Sequence, residues 1–477
     1  MLDKRQFYIN GRWVAPVEAC DFDVIDPSSE EVCAVISLGT EADTENAVAA
    51  ARKAFDHWSQ TSKASRVALL EKLLTIYNER ADEMAKAIST EMGAPIALSR
   101  TAQCGAGSSH IKNLIRALKG YEFDQPLGDH APDNRILHEA IGVCALITPW
   151  NWPMNQVTLK VVAALAAGCT MVLKPSEIAP LSSMLFAEMI DQAGFPAGVF
   201  NLVNGDGLGV GSQLSGHPEV DMVSFTGSTR AGVAITKNAA DTVKRVALEL
   251  GGKGANIIFA DADDKAVIRG VRHCFNNSGQ SCNAPTRMLV ERSIYDQVVQ
   301  VAADVANKTA VNSADLEGHH IGPVVSQMQF DKIQGLIKVG IEEGGRVVAG
   351  GLGKPEGLEK GFYVRPTVFA DIHNQMSIAR EEVFGPVLVL IPFDTEEEAV
   401  SIANDSPYGL THYVQTQDSE KANRVARRLR AGMVQINGTF LGAGSPFGGY
   451  KQSGNGREGG VWGLEDFLEV KAVSGWN

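Results

Sequence analysis

The chain has 477 residues, too many for one hydrophobic core, so two or more domains are expected. Hydrophobic residues at 44% and charged residues at 21% are the balance of an ordinary globular protein and exclude a disordered one. A formal charge of −13 argues against a binder of phosphate backbones, so no nucleic-acid partner is expected.

The opening, FYINGRWV, reads as two strands joined by a tight Asn-Gly turn. The first residues, MLDKRQFYINGRW, hold no apolar core of the kind a leader needs, and a cytoplasmic location is expected. Three helical patterns follow. Ala47, Ala50, Ala51, Ala54 and Phe55 share one face over about 41–58. Leu69, Leu70, Leu73, Leu74 and Tyr77 do the same over about 64–90, and a third helix covers roughly 95–118. Residues 120–140 turn irregular, with Pro126, Gly128 and Pro132 among scattered charges, as in a hairpin arm.

From IGVCALIT onward strands and helices alternate. Strands at CTMVLKP, VFNLVN, MVSFT and VKRVALEL are separated by helices near 156–167 and 180–193, a short one near Leu208 and one from about Ser228. That alternation predicts a parallel sheet covered on both faces. A second α/β unit starts after Gly251 with ANIIFA, a helix over about 263–275 and a strand over 286–290, and runs to about Gly449. The tail, LEDFLEVKAVSGWN, ends extended and apolar. The longest apolar stretch, 157–173, contains Lys160 and Gly168, so no membrane span is expected. Seven Cys without a CxxC pair exclude a disulfide framework and a zinc ribbon, and no metal is expected.

Several short motifs carry chemistry. NSGQSC ends at Cys282. A lone Cys is more often core filler than nucleophile, but small and polar neighbours suit an accessible thiol. LELGGK places Glu249 at a strand end among apolar residues. That reads as an ordinary surface Glu or as a general base with a raised pKa. TPWNWP puts Asn151 directly after a strand, as a plain turn or as an amide aimed at an oxyanion. KPSE offers Lys174 and Glu177, a solvated turn or a pair for two ribose hydroxyls. In FTGSTRAG, Gly227 and Ser228 stand where a helix starts, which suits a simple cap or a phosphate. NGDGLGVG does not fit G-x-G-x-x-G and reads as a Gly-rich turn. EEVFGPV adds Glu382 and Phe384, and SPFGGYKQSGNGRE adds Phe447 in a Gly-rich loop.

In this order and spacing, from FYINGRWV to EVKAV, the motifs resemble those of the aldehyde dehydrogenase superfamily. LELGGK followed 33 residues later by the Cys of GQSC is the most specific part. The resemblance implies an α/β fold with two parallel-sheet domains and a small β oligomerisation arm. Residues 1–121 and 141–251 would bind NAD, 252–450 would form the catalytic domain, and 122–140 with 466–477 the arm of a homodimer or homotetramer. It implies Cys282 as nucleophile and Glu249 as base. Asn151 and the Cys282 N–H would form the oxyanion hole, and Lys160 with Glu458 would assist proton exit. Ile147, Trp150, Lys174, Glu177, Gly227, Ser228, Glu382 and Phe384 match cofactor contacts. The cofactor implied is NAD, with NADP as second choice because Glu177 would repel a 2′-phosphate.

The implied reaction oxidises an aldehyde to an acid through a thioester hydrolysed by water. The alternatives are a coenzyme A-acylating semialdehyde dehydrogenase and a catalytically silent homologue. The resemblance lines the substrate tunnel with Trp152, Gln156, Leu159, Ser281, Asn283, Leu441 and Phe447. Leu159 and Leu441 stand where some relatives carry aromatics, so a medium-sized uncharged aldehyde or semialdehyde is expected rather than a quaternary ammonium. No Arg stands among these positions, which argues against a dedicated succinic semialdehyde site.

Overall fold

The segment Val143–Ile147 is apolar at every position because it is covered on both faces; it is the middle of a sheet. A computed structural model describes residues 1–476 and places seven strands in this first sheet. Their order is Arg245–Glu249, Met222–Thr226, Val143–Ile147, Thr170–Lys174, Phe200–Leu202, Phe7–Ile9 and Arg12–Val14. The first five run parallel, and the Asn-Gly hairpin closes the edge antiparallel. Helices Pro153–Ala167 and Leu181–Ala193 follow their strands and end at Gly168 and Gly194, both left-handed. The register matters for chemistry. Ile147 faces Lys174, Phe225 faces Ile147, and Thr226 faces Glu249, so one row of residues lines the carboxyl edge of the sheet. Ligands of open α/β sheets bind at that edge.

The chain leaves Glu249 through LeuGlyGlyLys and enters a second seven-stranded sheet at Ala255–Ile258. Its order is Arg346–Ala349, Thr367–Ala370, Val387–Phe393, Arg287–Glu291, Ala255–Ile258, Thr411–Gln415 and Met433–Ile436. Only the first pair is antiparallel. Cys282 lies just before Arg287–Glu291, at the amino edge of this sheet. The carboxyl edge of one sheet therefore meets the amino edge of the other. A third sheet pairs Leu468–Ser474 with Asn134–Ala140, and Asn134–Ala140 with Asp124–Pro126, all antiparallel. Asn477, the last residue of the expected arm, lies outside the described residues.

Three expectations need correction. The helix expected over 64–90 is two, Lys63–Glu79 and Ala81–Met92, broken at Arg80. Arg80 leaves helical geometry at φ −101 and ψ 16, and its guanidinium is held by Glu83 and Glu188. A sheet of Leu2–Lys4, Glu31–Ser37 and Asp21–Asp26 was not foreseen. Helix Pro153–Ala167 starts earlier than expected, with Pro153 at its first position, where a missing N–H removes no hydrogen bond. NGDGLGVG is a π-turn over Gly207–Gly211 capped by the Asp206 side chain. Among the described residues, no helix is long and apolar enough to cross a membrane, and no cluster of His, Cys, Asp and Glu could hold a metal.

Candidate active site

Cys282 is half-buried at the end of an unusual turn. Asn277, Ser278 and Gly279 are all left-handed, with φ of 53, 56 and 72. A non-glycine residue there costs about 1–3 kcal/mol, so the turn persists only because it is tied down. Ser278 Oγ donates to Gly322 O at 2.7 Å, and Gln280 Oε1 accepts from Val325 N at 2.9 Å. The two glycines after Glu249 make room for the site. A methyl group on Gly251 would strike the Glu382 carboxylate, and one on Gly252 would strike the Cys282 carbonyl oxygen. Burial, then Glu382 and Glu249, push the Cys282 thiol well above the usual thiol range.

Asn151 is buried in the turn after Val143–Ile147. Its Nδ2 donates to Gln280 O at 3.0 Å, which uses one of its two amide hydrogens and leaves one for a ligand.

Glu249 is 3% exposed, and neither carboxylate oxygen has a hydrogen-bonding partner among the described residues. An ionised carboxylate so placed is penalised by several kcal/mol, so it holds its proton more tightly. Burial is the largest cause of its raised pKa, followed by the charge of Glu458; Lys160 and Arg457 oppose. Lys160 itself donates to Glu458, and both are buried. Glu458 is fixed by two backbone bonds of 2.8 Å with Phe447. Removing one member of such a buried pair costs about 3–5 kcal/mol, because the other charge is stranded.

A cavity of about 210 Å³ joins Cys282 and Asn151 to the carboxyl edge, with Glu249 next to it in the chain at Leu250 but not in its lining. Cys282, Asn151 and Gln156 form one part of its wall, and Trp150, Gly227, Ser228, Glu382 and Phe384 another. Ser228 caps helix Thr229–Ala239, its Oγ accepting from Ala231 N at 3.2 Å. The further N–H groups of that first turn suit a phosphate. Glu382 accepts from Gly252 N at 2.8 Å. Phe384 sits at φ 58 with its ring edge-on to Trp150, centroids 5.4 Å apart. Lys174 is buried at its strand end, donating to Pro175 O at 2.8 Å, to Gly205 O and to Glu177 at 3.4 Å. Ile147 is buried in the same row.

Of the seven tunnel residues, only Gln156 lines this cavity. Its Oε1 is buried without a protein partner. Trp152 Nε1 donates to Ser281 Oγ at 2.7 Å, one residue from the thiol. Asn283 O accepts from Tyr413 Oη at 2.6 Å. Leu159 is buried in helix Pro153–Ala167, Leu441 is exposed and Phe447 half-buried. Thr226, Leu250, Gln329 and Lys332 also line the cavity and were not anticipated. Gln329 and Lys332 arrive on helix Gln327–Glu342, whose sequence carries no local motif. A larger groove of about 700 Å³, bordered by Arg272, Lys308 and His320, contains neither Cys282 nor Glu249 and is not the place for this chemistry.

Residues 13–473 match a family described as "Aldehyde dehydrogenase family". The chain is 53% identical over 478 residues to a 3-succinoylsemialdehyde-pyridine dehydrogenase of a Pseudomonas species, covering all of this chain and 99% of the relative. A crystal structure of aldehyde dehydrogenase from Bartonella henselae matches with TM-score 0.99 and 61% identity over 99% of this chain and 100% of that one. A mutant of aldehyde dehydrogenase C from Pseudomonas syringae, complexed with NAD+ and octanal, matches with TM-score 0.97 and 49% identity over 99% and 97%.

Proposed function

The chain belongs to the aldehyde dehydrogenase family, an NAD-dependent enzyme that oxidises an aldehyde to a carboxylic acid, and we propose that Cys282, Asn151 and Glu249 carry the reaction. The observation that carries this assignment is the shared cavity. It brings a half-buried thiol, a buried amide with one free hydrogen and the cofactor wall together, next to a buried carboxyl without partners.

Cys282 releases its proton to water and the thiolate adds to the aldehyde carbon. The positive charge of the nicotinamide ring would offset the burial and the two carboxylates that hold the thiol protonated. The oxyanion that forms is met by Asn151 Nδ2 and the Cys282 N–H, each donor worth roughly 3–4 kcal/mol. NAD held in the cleft would supply the acceptor for the hydride, and loss of hydride from that carbon leaves a thioester on Cys282. Glu249 then takes a proton from water, which attacks the thioester. The C–S bond breaks, the acid leaves and the Cys282 thiolate is restored, while Glu458, held by Lys160, takes the proton on from Glu249. The residues present fit the cofactor: Lys174 and Glu177 for the adenosine ribose, Gly227 and Ser228 for the pyrophosphate, and Glu382 for the second ribose. Phe384, Trp150 and Ile147 flank that cleft.

The substrate is a medium-sized aldehyde, uncharged or a semialdehyde. Relatives named for a pyridine semialdehyde and solved with octanal support this, while Leu159 and Leu441 do not line the cavity and add nothing to it. Residues 1–121 with 141–251 form the NAD-binding domain and 252–450 the catalytic domain. The arm, 122–140 with 466–477, joins subunits of a cytoplasmic homodimer or homotetramer. In the described residues no strand pairs with the outer edge of Leu468–Ser474, which supports an arm that awaits a partner. Sedimentation should therefore give two or four chains.

An aldehyde panel read by NADH absorbance tests the reading, with NAD and NADP in parallel and coenzyme A added or withheld. Highest kcat/KM is expected for a neutral or semialdehyde substrate with NAD and free acid as product. Highest kcat/KM for a betaine-type aldehyde contradicts this choice of substrate. Acyl-coenzyme A as product contradicts hydrolysis.

A further inference from the structure

Asn151 lies between Pro149 and Pro153, in a turn that no strand or helix ladder holds. Its backbone carbonyl is taken instead by two side-chain amides from distant segments. Asn277 Nδ2 donates to it at 2.9 Å and Gln103 Nε2 at 3.1 Å. Asn277 Nδ2 also lies 3.3 Å from Gln280 O, the carbonyl that accepts from Asn151 Nδ2. Gln103 Nε2 reaches Asn277 Oδ1 at 3.4 Å. Three side-chain amides and two backbone carbonyls thus close a ring. All four residues are at most 3% exposed, so solvent does not substitute for any of these bonds.

We propose that Gln103 and Asn277 are positioning residues that aim the Asn151 amide at the oxyanion, an inference that rests on Asn151 being the oxyanion donor. Neither lines the cavity that holds Cys282. Each acts through Asn151. The free amide hydrogen of Asn151 has a fixed direction only if both its own backbone and the Gln280 carbonyl are fixed. Asn277 holds both, and Gln103 holds the first. A preorganised donor needs no reorganisation as charge develops, whereas a loose one does. Two local features fit this use. Gln103 ends a single π-turn, Ser99–Gln103, inserted between helical segments, a distortion that gathers at functional sites. Its Oε1 is buried without a partner, so the NH2 end is the one in use. Asn277 holds its left-handed conformation with a side chain that tolerates it.

The test uses the full-length enzyme with Gln103→Met and Asn277→Asp. Met keeps the length of Gln and sits beside Met92, whose sulfur is already 3.8 Å from Nε2. Asp keeps the tolerance for positive φ and loses the NH2. Single-turnover hydride transfer is followed by NADH absorbance, and NAD affinity by fluorescence titration. Each variant should transfer hydride about 10- to 100-fold more slowly with NAD affinity unchanged. In an Asn151→Ala background the same changes should alter the rate less than twofold, because the group they aim is gone. A wild-type rate in both variants overturns the inference, as does an equal loss in the Asn151→Ala background. Loss of NAD affinity in both variants marks a structural role and overturns it too; if only one loses it, the other decides. A wild-type rate in Asn151→Ala itself would instead remove the reading beneath.

Discussion

The side of the site that carries Asn151 and the side that carries Glu249, which lies next to the cavity wall at Leu250 and not in it, are built in opposite ways. On the first, the Asn151 amide and carbonyl are both engaged, and the turn before Cys282 is tied down through Ser278 and Gln280. On the second, the Glu249 carboxylate meets no donor among the described residues, and the charges that act on it include a pair bonded to each other, Lys160 and Glu458. The difference follows from what each side does. Charge that develops on an oxyanion is best met by dipoles that are already aimed. A base must gain and release a proton, so a hydrogen bond that fixed it as a carboxylate would lower its pKa and weaken it.

Substitutions should separate the two sides. Cys282→Ala removes the group both sides serve and should lower NADH production more than about a thousandfold with NAD binding retained, measured by absorbance and titration. Residual activity near wild type would place the nucleophile elsewhere. Asn151→Ala should slow hydride transfer about 100- to 1,000-fold and leave NAD affinity alone. Gly252→Ala acts where the sides join. Its methyl group would strike the backbone carbonyl of Cys282 and displace the thiol, for an expected loss of about a hundredfold in kcat. Ser228→Ala touches neither side. It removes a helix cap and should reduce stability by about 1 kcal/mol, read from a urea midpoint, with under tenfold weaker NAD binding.

The same contrast explains what could be read in advance. The row of strand ends was legible because buried parallel strands are written as apolar runs, and Lys174 and Glu249 interrupt those runs at their ends. The two glycines after Glu249 were visible, while the reason for them, Glu382 and the Cys282 carbonyl, comes from residues 30 or more positions away. The break at Arg80 was hidden because the apolar spacing continues through it, and the Glu188 that holds the Arg80 guanidinium there stands 108 residues on. The N-terminal sheet was hidden because its edge strands are weak signals: Leu2–Lys4 is three residues long and Asp21–Asp26, DFDVID, is half acidic. Gln329 and Lys332 reach the cavity by helix packing alone. Position along a strand is a local property; the company a side chain keeps across the cleft is not.

The unpartnered carboxyl is the feature on which the hydrolytic account turns. With its pKa above the ordinary carboxylate value, Glu249 accepts a proton only as pH rises through that raised value, so thioester hydrolysis should quicken over that range. Linkage has the opposite sign. The folded state prefers the protonated form, so this group's contribution to stability is full below the ordinary value and is lost as pH rises to the raised one. Glu249→Gln keeps the shape and removes the base. Mixed rapidly with aldehyde and NAD, the variant should give one NADH per site in a burst, then turn over slowly without the rise with pH. Mass spectrometry of the quenched protein should find the acyl group on the Cys282 peptide. Full steady-state turnover with no adduct, or an adduct on another cysteine, would contradict the account.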